Sequence, residues 1–261
     1  HLILKSGVSL KGEDQEKTVI HGDYQSQQHV IRALGNNRIE NLTISGSSPY
    51  AGAPSSAIRI EGDHVKVRHN RIVDNRGYGI FVWSGANVLV EMNLIRGNNL
   101  GVQLPKDTTL IRYNTFIHNN IGINTLNGAT PQISHNIFSD STFSSIYEFS
   151  WNAYSQGLSS RGFAAVENNT FYNNIERGTA YGSATPPAAE TQTMGNQRAD
   201  PLFVDPVSGN YHVRESSSSY GRGTWLPSAL VSALDRASTI PAQHVIRHIS
   251  DGQGIIGYQV L

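Results

Sequence analysis

Apolar residues recur along this chain in short alternating runs whose pattern repeats about every 22 residues. With Asn70, Asn93, Asn114, Asn136 and Asn169 as anchors, the spacings are 23, 21, 22 and 33 residues. Three places before each anchor stand Val67, Val90, Ile111, Ile133 and Val166, and two places after stand Ile72, Ile95, Phe116, Phe138 and Phe171. Five places after come Asn75, Asn98, Asn119, Ser141 and Asn174. Further along each row is a second signature: Gly79-Ile80, Gly101-Val102, Gly122-Ile123 and Ser145-Ile146, with Ala57-Ile58 holding that place in the first full row. Upstream, the stretch Arg38 to Gly46 reads as a looser row whose apolar residues are offset by one.

Each row therefore predicts three short strands with one face buried, because apolar and polar side chains alternate with period two. Strands this short, separated by Asn and Gly, cannot build a hairpin sandwich at this period. They can wind as a coil, with equivalent strands of successive coils pairing in parallel at ~4.8 Å. The anchor Asn is then expected at a tight turn, bonded to the next coil and itself in the left-handed conformation. A leucine-rich repeat has a similar period but needs Leu in several of these columns, and a propeller blade needs ~40 residues. The pattern selects a parallel β-helix, and Phe116, Phe138 and Phe171 predict an aromatic stack inside it.

Three stretches interrupt the period: Ser45 to Ser56, Tyr147 to Gly162, and Gly178 to Gln197, the last with Pro186-Pro187. Between Pro227 and Ala237, Leu230, Val231 and Leu234 stand at helical spacing after a proline, which predicts a short helix covering the end of the solenoid. The expected organisation is a β-helix over residues 1–225 and a capping segment over 226–261 with that helix and a final strand. The chain opens directly on strand-like residues, Leu2 to Leu4, so His1 is expected not to be the natural start.

Composition narrows the partners. Twenty basic and 20 acidic side chains cancel, which gives no general attraction to nucleic acid. No apolar run approaches the ~18 residues of a membrane span. The absence of cysteine excludes disulfides, thiolate metal sites and cysteine nucleophiles together.

These rows, with their Asn-x-[Ile/Phe]-x-x-Asn pattern and Gly-Ile strands from about Thr18 to Asn174, resemble the right-handed parallel β-helix proteins of the pectate-lyase-like superfamily, secreted bacterial ones especially. The stretch Ala199 to Val213 resembles a motif such proteins carry after the last regular coil, and Asp251 to Val260 a degraded form of their closing strand. The resemblance implies an all-β, right-handed parallel β-helix, located outside the cell or on its surface, that acts on or binds an acidic polysaccharide. The fold alone does not choose among lyases, hydrolases, epimerases and non-catalytic surface proteins.

In such proteins the sugar lies along the strands that begin here at each Gly-Ile pair. Outward residues alternate with the inward Ile and Val, which places Arg59, Glu61, Phe81, Trp83, Gln103 and Asn124 on one face expected to be exposed. Aromatic rings beside Arg, Gln and Asn form a platform for a glycan. Hydrolysis needs two carboxylates ~5–9.5 Å apart. Glu61 is the one acid on this face, and Asp74 and Asp140 lie three coils apart in the turn row. Elimination from a uronic acid instead needs a base and a cation. Lys106, one of five lysines, follows the platform strand and is the first candidate base; His118 is the alternative, and Arg59 is placed to neutralise the uronate carboxylate. Calcium serves many lyases of this kind, but no cluster of three acids close in the coil register offers a site for it. The Arg-x-Pro-x-x-Arg, Asp-His and Asp-Pro-His motifs of related enzymes are also missing. A lyase-like protein and a non-catalytic glycan-binding or structural surface protein are the two readings that remain.

Overall fold

The computed structural model describes residues 1–25, 28–49, 55–104, 108–126, 129–149, 165–175, 195–223, 246–250 and 255–260. They form a parallel β-solenoid with three sheets of seven, seven and eight strands. From Leu2 to Tyr172 successive strands go to the first, second and third sheet in rotation, and Gln197–Arg198 then adds an eighth strand to the third sheet. The first sheet contains Leu2–Leu4, Ile31–Ala33, Ser56–Ile60, Tyr78–Val82, Leu100–Leu104, Ile121–Leu126 and Ser144–Phe149.

The columns read from the sequence are the columns of the structure. Val67, Val90, Ile111, Ile133 and Val166 pair rung by rung in the second sheet. Ile72, Ile95, Phe116, Phe138 and Phe171 do so in the third, and Ile58, Ile80, Val102, Ile123 and Ile146 in the first. All point inward into one continuous core, each buried aliphatic side chain contributing about 1.5–3 kcal/mol. The three Phe rings stack nearly parallel, at 4.7 Å and 10° for Phe116 on Phe138 and 5.2 Å and 7° for Phe138 on Phe171.

At the corner between the second and third sheets the anchors form a buried ladder. The Asn70 amide donates to Asn93 Oδ1, Asn93 to Asn114, Asn114 to Asn136, Asn136 to Asn169 and Asn169 to Asn196. Asn75, Asn98 and Asn119 make a second ladder at the next corner. The left-handed residue is not the anchor, as the sequence suggested, but the residue before it: His69, Met92, Tyr113, His135 and Asn168 have φ of 54–56°. That residue turns the chain, and the turn aims the following Asn inward. The same rule corrects the upstream row. Asn41 is the left-handed residue (φ 55°), Leu42 takes the anchor place, and the Leu42 N–H donates to Asn70 Oδ1 at 3.1 Å.

Outside, the second sheet carries Glu40, Arg68, Glu91 and Arg112 in one column of alternating sign. Arg68 and Glu91 are buried, and the Glu91 carboxylate is shared by Arg68 at 3.5 Å and Arg112 at 3.0 Å, so the burial cost of each charge is offset by its neighbours. After the last coil, Phe203–Asp205 and Asn210–Val213 form an antiparallel hairpin. Phe203 and Tyr211 pack it onto Leu94 and Ile117 of the third sheet. Ile246–Ser250 and Ile255–Val260 form a second hairpin, with the latter covering the expected final strand. No helix occurs among the described residues, and the helix expected between Pro227 and Ala237 lies outside them, as do most residues of the three interrupting stretches.

Candidate functional site

The outward column of the first sheet runs in register through Arg32, Arg59, Phe81, Gln103, Asn124 and Tyr147. At ~4.8 Å per rung these side chains lie in one line along the solenoid. Two places further along their strands, Glu61 and Trp83 leave the first sheet together; the Glu61 N–H donates to Ala33 O and the Trp83 N–H to Ile60 O. The residues expected to share a face therefore do so.

Arg59 is the centre of the arrangement. Its Nε lies 2.5 Å from Glu61 Oε1, while Arg32 donates to Glu61 Oε2 at 2.5 Å. The Arg59 NH1 group donates to His29 Nε2 at 3.1 Å, and the other ring nitrogen, Nδ1, faces Ser56 Oγ at 2.9 Å, which makes His29 the Nδ1–H tautomer. The guanidinium carbon sits 4.7 Å from the Trp83 ring centre and 5.3 Å from that of Phe81. A planar cation stacked on indole is held in orientation as well as in place. His29 and Arg32, missed in the sequence, belong to the coil before Arg59, where the looser row hid their register.

Exposure differs from the expectation at two positions. Phe81 is 4% exposed, because Arg59, Tyr78 and Trp83 lie over it, the two rings edge-on at 5.5 and 5.6 Å. Gln103 is 3% exposed, with the Asn124 amide donating to its Oε1 at 2.8 Å. In a parallel stack an outward side chain meets its equivalents on the rungs above and below, so large neighbours cover one another. Trp83, at 52% exposed, is the most open aromatic surface on this face among the described residues, with the half-buried Tyr147 further along the line. Lys106 lies outside the described residues. His118 belongs to another face, in the row of turns after the third sheet.

Charge is tightly organised around Arg59. Burial pushes the His29 pKa down, and the Arg59 charge pushes it further, to about 4. Burial works to raise the Glu61 pKa, but hydrogen bonds from Arg32 and the charge of Arg59 hold it below the usual carboxylate value. The sign for stability follows. Between the ordinary histidine value of 6.5 and about 4, the unfolded chain takes up a proton that folded His29 refuses. Stability is full above 6.5 and falls as the pH drops toward 4. For a half-buried ring, with allowance for solvent screening, the loss is about 1–2 kcal/mol. Urea unfolding across this window should show the slope, and His29→Gln should remove that part of it; an unchanged slope in the variant would contradict the assignment.

No group of three or more metal-ligating side chains occurs among the described residues. A family model described as a right-handed β-helix region matches residues 6–156, more than half of the chain. None of the curated proteins and none of the solved structures compared with it matches.

Proposed function

The chain belongs to the right-handed β-helix family, and from that premise we propose that the outer face of its first sheet binds an acidic polysaccharide. The observation that carries the reading is Arg59 stacked on exposed Trp83 beside Arg32. Two guanidinium groups share one carboxylate, Glu61, and His29 is neutral near pH 7, so this cluster keeps one net positive charge. A uronate carboxylate fits that charge, and the face of the same sugar chain fits the indole. The Gln103–Asn124 pair continues the line, its amides bonded to each other at 2.8 Å and Gln103 buried beneath the surface. The reading brings with it a location outside the cell or at its surface, where such polymers occur.

Within the Arg59 cluster itself no side chain is placed to act as the base of an elimination. A base needs an available lone pair near its operating pH. Both Glu61 oxygens are taken by arginine, and the His29 Nε2 lone pair already accepts from Arg59. Calorimetric titration with pectate and alginate oligosaccharides, with and without calcium, tests the proposal. Trp83→Ala should weaken the complex by roughly 1–3 kcal/mol, the size of other aromatic stacking contacts. Unchanged affinity would remove the platform. Ultraviolet absorbance from unsaturated products in the same mixtures would instead establish a lyase and make Lys106 the next residue to test.

A further inference from the structure

A cleft of about 540 Å³ lies between the third sheet and the Phe203–Asp205 and Asn210–Val213 hairpin, away from the Arg59 cluster. Its floor is apolar, built from Ile117, Phe203 and Tyr211. Its rim carries Asp140 from a coil turn, Asp200 from the segment after the last coil, and the Tyr172 phenol with them. Arg214 lines the other side, held by a 3.1 Å bond to Val204 O.

The carboxylates are set in position by donors of the protein. Asp140 Oδ1 accepts from the Asn173 amide at 2.5 Å, and Oδ2 from the Ser139 hydroxyl. Asp200 Oδ1 accepts from the Leu202 N–H at 2.8 Å. The charge of Asp200, a hydrogen bond to it, and the charge of Asp140 hold the Tyr172 pKa above its usual value, so both carboxylates bear on the phenol. A carboxylate oxygen can accept more than one hydrogen bond, and both carboxylates line the cleft. Asp140, Asp200 and Arg214 sum to one negative charge, the opposite sign to the Arg59 cluster.

We propose that this cleft is a second ligand site, for an uncharged sugar residue whose hydroxyls donate to Asp140 and Asp200 and accept from Arg214 while its apolar face rests on the aromatic floor. A half-open cavity with an aromatic wall and a few converging polar groups suits a ring that is apolar on its faces and hydroxylated at its edge. The negative balance of these three side chains disfavours a uronate. The ligand, the face and the charge preference all differ from those proposed for the first sheet, and neither site depends on the other.

The test is calorimetric titration of the whole chain with cellohexaose, xylohexaose, maltohexaose and mannohexaose, and with hexamers of galacturonate and of glucosamine. At least one neutral hexamer is expected to bind. Asp200→Ala and Asp140→Ala should each weaken it tenfold or more with unchanged circular dichroism, and excess galacturonate hexamer should not displace it. Failure of all four neutral hexamers to bind overturns the proposal. So does binding that survives both substitutions, binding displaced by galacturonate, or binding of the glucosamine hexamer alone, which would make the cleft an ammonium site. The first-sheet reading is judged separately, from polyuronate affinity in Trp83→Ala.

Discussion

Replacing Asn114 with alanine should lower the unfolding free energy by about 3–5 kcal/mol, since each buried polar group left without a partner costs about 1–3 kcal/mol. Asn114 is fully buried. Its amide donates to Val90 O at 2.9 Å, Arg112 O at 3.0 Å and Asn136 Oδ1 at 3.0 Å. Its Oδ1 accepts from both the backbone N–H and the amide of Asn93, each at 3.0 Å. Alanine suits the backbone here, because the left-handed residue is Tyr113 and not Asn114. The loss therefore comes from the bonds the amide made: two donors of Asn93 and the Val90 carbonyl lose a partner, while Arg112 O keeps the Met92 N–H at 3.3 Å. Denaturant unfolding measures it directly. Asn196→Ala, at the partly buried end of the same ladder, should cost less, since water can reach its neighbours. A change below about 1 kcal/mol at Asn114 would show that the ladder is ornamental to stability.

The ladder was legible in the sequence because it is periodic. A solenoid writes each contact once per coil, so a column of Asn or Phe in the alignment of rows becomes a column in space. The same logic located the outward line from Arg59 to Asn124. What could not be read lies at right angles to the repeat. The turn position of Asn41 and Leu42 was shifted by one because the row has no Asn at the anchor place, and periodicity gave no other marker. The burial of Phe81 and Gln103 depends on side chains of other rungs, Arg59 with Trp83 and Asn124, and on how those lean.

The cleft shows the same limit more sharply. His118 and Asp140 were visible as members of the turn row, but Asp200, Phe203 and Tyr211 come from beyond the last coil. The hairpin folds back across several coils to reach Leu94 and Ile117. No period connects Tyr211 to Ile117, only the apolar contact itself. Residues inside the repeat locate one another by counting; residues after it are located by packing.

The Gly-Ile signature also has its explanation in the stack, and the explanation predicts the second large effect. Gly101→Ala should destabilise the protein by more than about 3 kcal/mol, as overpacking costs 1–3 kcal/mol even where a neighbour can yield. A Cβ at Gly101 would lie 2.4 Å from the carbonyl oxygen of Gly122 on the next coil, and 3.2 Å from both Ile95 and Phe116. Gly79 and Gly122 stand in the same relation to the coils that follow them, at 2.6 and 2.4 Å from a backbone oxygen. A backbone oxygen in a parallel ladder cannot swing aside as a side chain can, so relief requires the two coils to separate. That separation would strain the bonds on either side, from Gly101 to the Asn98–Asn119 ladder. Ala57 and Ser145 hold the equivalent place in the flanking rows, where a Cβ is accommodated. The contrast makes the test internal: Ser145→Ala, which keeps the Cβ and removes only a hydroxyl, should cost less than Gly101→Ala, which should unfold at much lower denaturant. Equal stability of the two variants would mean that the coils breathe by the width of a methyl group, and the Gly column would then be a matter of composition and not of contact.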